Sequence, residues 1–370
     1  MNVSRSRRIF GRGAWFQAAV VAAAVAAGLA PISATRIERV FSTGAYPQLQ
    51  RVLTPLTNLA PFAIFDVLTV AAAITLVVAI VRGVSHARRE RSIRPLAGVM
   101  RRLLAAAAFI YLAFLVMWGF NYRRVPMAQR LVLERAAPST DAVVALGLQA
   151  VGRLNELHSA AHRVGWSDPP WYHEPLLRAF AEVQHRLSDA PPAVPGHLKP
   201  SLYGPYFRWT SVDGMVNPFA LEVLQNPDLL PFERPMIAAH EWAHLAGYAH
   251  ESEANFVGWL TCVRADVPSQ YSGWLHLYWQ IGGELAADHR ARLWEALAPG
   301  PRRDIEAMIE RVRRGQLPLL RNASWRVYDQ YLRANRVEGG IRSYGEVINL
   351  ILRARFEDGW TPVRRRSVSP

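Results

Sequence analysis

The pattern of hydrophobic positions changes character near residue 122. Before it, three apolar runs stand out of an arginine-rich background; after it, hydrophobic positions recur with the spacing of a folded domain. Residues 13–35 carry no charge and include an unbroken apolar stretch from Ala18 to Val25. A helix needs about 20 such residues to cross the hydrocarbon layer, because each rises only about 1.5 Å. Spans are therefore predicted at about 13–35, 59–81 and 103–122. A cleaved signal peptide competes for the first, since basic residues precede it and Gly28-Leu29-Ala30 has small-x-small spacing. The length of the run and the two spans that follow favour retention. Asp66 falls near the start of the second span, where it can reach the interface or pair inside the bundle. Trp118 and Tyr122 are predicted to form an aromatic belt at the end of the third.

Beyond the spans, Val144, Leu148, Val151, Leu154 and Leu157 recur at helical steps, predicting a helix over 140–163 with Asp141 at its cap. A second helix is predicted over 175–187, followed by a proline-rich extended stretch. Residues 203–210 are aromatic and strand-like, and Asp213-Gly214 offers a turn before a short segment at 215–219. Further helices are predicted from 235 to 247 and over 273–297, 303–314, 323–335 and 343–356, with Gly339-Gly340 between the last two. The fold class is mainly α with a small sheet. A membrane anchor is expected over 1–122 and a separate domain over 123–370.

Charge settles orientation and removes one function class. The chain carries a formal +14, which would suit nucleic acid. Much of the arginine flanks apolar spans, however, and no zinc-finger or RNA-binding motif accompanies it. No nucleic-acid partner is expected; the partner implied is the lipid bilayer. Arg5, Arg7, Arg8 and Arg12 precede the first span, and Arg82, Arg88, Arg89, Arg91, Arg94, Arg101 and Arg102 fill the second connection. The first connection holds only Arg36, Arg39 and Arg51, partly offset by Glu38. The positive-inside rule then places the N-terminus in the cytoplasm and residues 123–370 outside it. Arg123 and Arg124 oppose this locally but are outnumbered. Cys262 is the single cysteine, which excludes an internal disulfide, a cysteine-rich zinc knuckle and an iron–sulfur cluster.

The chemistry lies in His240-Glu241-Trp242-Ala243-His244. On a helix the four-residue spacing points both imidazoles to one side, within reach of one ion. Imidazole nitrogen suits Zn2+, and catalytic zinc takes three protein ligands with one position left for water. Glu241 can then take a proton from that water during attack on a peptide carbonyl. Gly247 permits a sharp exit from the helix, and three candidates for the third ligand follow: His250, Glu251 and Glu253. His250 completes the metzincin spacing, but no convincing Met-turn follows. Glu251 is preferred, then Glu253, then His250. Asn255 would share a helical face with Glu251 and could brace a histidine. Tyr271, Tyr248 and His276 are candidates to stabilise an oxyanion.

These motifs resemble the DUF3810 family of bacterial membrane proteins with a zincin-like metallopeptidase signature. The resemblance rests on Trp118-Gly119-Phe120-Asn121-Tyr122-Arg123, on residues 214–219, on the motif with residues 245–249 and 251–256, on residues 271–275 and on Ser343-Tyr344-Gly345. It implies three transmembrane helices followed by a zincin-like α+β domain with an active-site helix, in a multi-pass protein of the bacterial inner membrane. It also favours an acidic third ligand. By analogy with the wider gluzincin pattern, Glu251 would be a ligand and Asn255 its support. The expected activity is zinc-dependent hydrolysis of an envelope protein or peptide, with His240, His244 and Glu251 as ligands and Glu241 as general base. The alternative is a non-catalytic metal-binding sensor or assembly factor. Substrate preference and oligomeric state are not readable from the residues.

Overall fold

The computed structural model describes residues 12–166, 174–335 and 346–365. Arg5, Arg7 and Arg8, Gly339-Gly340 and Ser343-Tyr344-Gly345 lie outside these. The chain begins with α1 (Arg12–Leu29), α2 (Ala34–Ile37), a π-helical segment Glu38–Ala45, and α3 (Tyr46–Asn58). Then come α4 (Ile64–Glu90), α5 (Arg94–Met117), a 3-10 turn Gly119–Arg123 and α6 (Met127–Arg130). Two of these, α4 and α5, are long and apolar enough to cross a membrane; residues 13–29 and 34–58 form a third candidate bent by 112°.

Both later spans are displaced from their expected limits, because hydropathy does not decide where a helix ends. Helix α4 continues through its basic end to Arg91, which adopts left-handed geometry at φ 47°. Helix α5 starts at Arg94 and runs through Arg101 and Arg102, whose straight side chains suit a helix. It stops at Trp118, where φ is −156°. Trp118 and Tyr122 are not an interfacial belt. Each is only 6% exposed, with their rings edge to face at 5.2 Å inside the core.

The first connection is likewise not a loop. It folds back onto the later chain through polar side chains of α3. The Tyr46 hydroxyl donates to the Leu245 carbonyl at 2.8 Å, Gln50 Nε2 to Val194 at 2.7 Å and Thr54 Oγ1 to Leu221 at 2.8 Å. The start of α4 is anchored in the same way. The carboxylate of Glu222 accepts from the backbone N–H groups of Ile64 (3.1 Å) and Phe65 (2.8 Å), and from Lys199 Nζ at 2.9 Å. Asp66 accepts from Ser201 Oγ at 2.6 Å and Leu202 N at 2.9 Å. Orphan donors of a helix start are thus satisfied by acids. Asp66 is an anchor to the domain rather than a charge buried in a bundle.

The remaining elements are α7 (Thr140–Val164), α8 (Glu174–Leu187), β1 (Leu198–Lys199), α9 (Gly204–Thr210), β2 (Gly214–Asn217) and β3 (Glu222–Gln225). They are followed by α10 (Arg234–Leu245), α11 (Glu251–Val263), α12 (Val267–Glu284), α13 (Ala287–Ala296), α14 (Pro299–Gly315), α15 (Pro318–Ala334), α16 (Glu346–Arg353), β4 (Phe356–Glu357) and β5 (Thr361–Pro362). In the three-stranded sheet β3 is central, parallel to β1 and antiparallel to β2; β4 and β5 form a separate antiparallel pair.

Three local expectations change. Ser139, not Asp141, caps α7, its hydroxyl accepting from Ala142 N at 3.2 Å. Residues 204–210 form helix α9, with Tyr203 at its cap, because Gly204-Pro205 opens a first turn and Phe207 and Thr210 are buried three residues apart. The long helix expected over 273–297 breaks at Leu285, whose extended backbone sends a 5%-exposed side chain into the core. Helix α11 is the axis of the domain: every residue from Glu251 to Cys262 is buried. Trp259, Phe256, Val257 and Leu260 pack behind the site as their apolarity implies.

Candidate metal centre

Helix α10 carries His240, Glu241 and His244, and its last turn gives way at Gly247, where φ is +83°. That left-handed residue reverses the chain so that α11 begins four residues later, with Glu251 in its first turn. The reversal is tight: a β-carbon at Gly247 would lie 2.9 Å from Asn121 Oδ1.

The three side chains converge. His240 Nε2 lies 3.1 Å from His244 Nε2, and Glu251 Oε2 lies 3.3 Å from the first and 3.6 Å from the second. Tetrahedral ligands at about 2.0–2.1 Å from zinc would stand about 3.3 Å apart, so the donor atoms already have the separation that an ion requires. They form a group that can hold a metal. His244 Nδ1 lies 2.8 Å from the Tyr248 carbonyl. A carbonyl only accepts, so Nδ1 carries the proton and Nε2 is left as the ligand atom. On the other side, the Tyr328 hydroxyl donates to Glu251 Oε1 and leaves Oε2 directed at the histidines.

Glu241 sits beside this group at 3% exposure, and its Oε2 makes no hydrogen bond among the described residues. It has room only because Gly214 lacks a side chain: a β-carbon there would fall 2.5 Å from Oε1. Burial pushes the Glu241 carboxyl up, with His240 and His244 opposing. Burial also disfavours the His244 imidazolium, but the adjacent Glu251 carboxylate outweighs it and holds the ring at about 9. Burial would raise Glu251, yet His244 and His240 keep it well below the ordinary carboxylate range.

The competing ligands go elsewhere. Glu253 Oε1 accepts from Met127 N at 2.6 Å, and the His250 ring packs edge-on against Tyr122 at 6.1 Å. Asn255 is buried, but among the described residues its Nδ2 makes no hydrogen bond and neither does His240 Nδ1, so the two do not brace each other. Of the oxyanion candidates, Tyr271 donates to Asp304 Oδ2 at 2.5 Å, and the ring of Tyr248 lies under the guanidinium groups of Arg124 and Arg130. His276 comes within electrostatic range of His240, and burial with that neighbour pushes it down to about 3. Asn217 is fully buried and bonded to Glu222.

Several functional contacts escape any reading of the motif. Besides Tyr328 and Gly214, the indole of Trp118 donates to the His244 carbonyl at 2.9 Å. Arg124, which opposed the orientation rule, is paired to Glu38 at 2.7 Å and donates to the Gly247 carbonyl at 2.9 Å. Arg123 is tied to the carbonyls of Ala27 and Gly28. Both arginines therefore tie the N-terminal helices to the chain around Gly247.

The class defined is a mainly helical protein with two or three apolar N-terminal helices and a buried His-His-Glu group able to hold a metal ion. The family model described as protein of unknown function, DUF3810, matches residues 41–352, and the chain belongs to that family. No curated protein and no solved structure matches it.

Proposed function

We propose that the chain is a zinc-dependent peptidase of the bacterial cell envelope, with His240, His244 and Glu251 as metal ligands and Glu241 as general base. The observation that carries this reading is the convergence of two Nε2 atoms and one carboxylate oxygen at 3.1–3.6 Å, with Glu241 next to them, its Oε2 without a hydrogen bond among the described residues. Zinc held there would lower the pKa of water and polarise a scissile carbonyl. Glu241 accepts the proton of the attacking water at its carboxylate and returns it to the leaving amine. Its raised proton affinity suits both halves of that transfer. Tyr328 and the Tyr248 carbonyl keep Glu251 and His244 oriented.

A non-catalytic metal-binding sensor or assembly factor is the second reading, and burial speaks for it. His244, Glu251 and Glu241 are 8%, 7% and 3% exposed, so a peptide must displace covering chain to reach them. Ion binding is common to both readings; turnover separates them. Glu241→Gln should keep one Zn2+ on the 240–251 group and abolish cleavage of envelope peptides. Equal cleavage by the variant sinks the mechanism, and no cleavage by either protein despite bound zinc favours the sensor.

The anchor over 1–122 and the extracytoplasmic domain over 123–370 belong to the same proposal. Arginine-rich ends of α4 and α5 stay cytoplasmic. The opposite ends of α1, α4 and α5 all meet the domain, through Arg123 on the Ala27 and Gly28 carbonyls, Glu222 on Ile64 and Phe65, and Trp118 on His244. Three crossings account for that shared side.

A further inference from the structure

The His-x-x-x-His spacing occurs twice in this chain. His158 and His162 lie in the last turns of α7, on one face and directed at Asp304 of α14. His162 Nε2 stands 2.8 Å from Asp304 Oδ2 and His158 Nε2 stands 3.6 Å from the same oxygen. The rings lie 4.3 Å apart and 36° from parallel. From α12, the Tyr271 hydroxyl donates to that oxygen as well, at 2.5 Å. Asp304 is 8% exposed, whereas the His162 side chain is 38% exposed.

A hydrogen-bond network alone does not explain this arrangement. A carboxylate oxygen offers about two lone pairs, and Tyr271 with His162 already supply two donors to Oδ2. His158 is aimed at the same atom from beyond hydrogen-bond distance. The three ligand atoms nevertheless lie within 4.8 Å of one another, which is room for a cation between them. The geometry points to a second divalent-metal site, His158–His162–Asp304, in which Tyr271 orients the carboxylate. Two imidazoles and one carboxylate suit zinc and its first-row neighbours rather than Mg2+ or Ca2+. The partly exposed His162 leaves the outer side of the ion to water.

Its role is structural. The ligands join α7 to α14 across 142 residues of sequence, and Tyr271 brings in α12. The residue after Tyr271, Ser272, accepts from Met236 N at 3.0 Å in the first turn of α10. An ion at Asp304 therefore stiffens the support of the helix that carries His240.

The test uses the full-length chain in detergent with Zn2+ as the probe. Asp304→Asn and His162→Asn are each expected to lower zinc stoichiometry by one ion, whatever the 240–251 group holds. A His240→Asn/His244→Asn double variant is expected to keep that ion. Tyr271→Phe should retain it with roughly 10–100-fold weaker affinity. Unchanged stoichiometry in Asp304→Asn and His162→Asn overturns the site. Because either variant can misfold, zinc-edge anomalous scattering from the unaltered chain provides an independent check. A peak between the three side chains supports the site, and no peak there in crystals grown with Zn2+ overturns it.

Discussion

Gly214 lies 27 residues before Glu241 in the sequence, yet it decides where Glu241 can stand. Adding one methyl group at 2.5 Å from Oε1 must move either the carboxylate or the strand. Gly214→Ala is expected to reduce turnover at least 10-fold while zinc stoichiometry stays constant, since His240, His244 and Glu251 are untouched. Equal kcat/KM would show that Glu241 does not need this position. Tyr328→Phe removes the donor to Glu251 Oε1. Zinc affinity should fall by roughly 10–100-fold, read by competition with a chelating dye. The charges of the group also predict a pH response. His244, raised from 6.5 to about 9, stabilises the metal-free fold fully below 6.5 and loses that contribution as pH rises through about 9. Glu251, held low, contributes above its ordinary range and loses this only as pH falls through its depressed value. Zinc must displace the His244 proton, so its affinity should climb between about pH 6.5 and 9 with proton release measurable by calorimetry in two buffers.

Among the elements, the buried Lys199–Glu222 pair holds α4 to the sheet, both side chains being at most 3% exposed. Glu222→Ala strands a buried ammonium and frees the first N–H groups of α4. A loss of roughly 3–5 kcal/mol is expected in chemical unfolding, and a loss under about 1 kcal/mol would mean that water already solvates the pair. Such long-range contacts mark the limit of what the residues reveal on their own. Helix α7 was legible because its apolar positions repeat at three and four residues, α8 because Pro175 stands in its first turn, and α10 because Pro235 and Gly247 bracket the motif. The motif was legible because its two histidines are one helical turn apart and Glu251 follows closely. Trp118 was misread, since an aromatic at the end of an apolar run looks the same whether it meets lipid or a histidine carbonyl. Residues 203–210 were misread because aromatics fit strands by propensity, whereas Gly204-Pro205 and the burial of Phe207 made a helix. Tyr328 and Gly214 were invisible, as nothing local ties them to residues 241 and 251. The pair at 158 and 162 could have been found by the same spacing that exposed 240 and 244.

For the molecule as a whole, the proposed topology, with residues 123–370 outside the cytoplasm, can be tested by labelling. Cys262 is fully buried, so the native chain should resist a membrane-impermeant maleimide. Asp141→Cys should label in cells with a permeabilised outer membrane and an intact inner one. Ile93→Cys, at an 81%-exposed position between α4 and α5, should label only after lysis. Labelling of position 93 in intact cells would reverse the orientation and place the His-His-Glu group in the cytoplasm.

The short link between His244 and Glu251, which turns at Gly247 in the fold, matters in the denatured chain as well. Only six residues, 245–250, separate His244 from Glu251, so closing that loop costs little entropy even without the rest of the fold. The denatured chain is therefore expected to bind zinc weakly through these side chains. Because binding to the denatured ensemble subtracts from ligand-induced stabilisation, zinc on residues 240–251 should raise the melting temperature less than its native-state affinity alone implies.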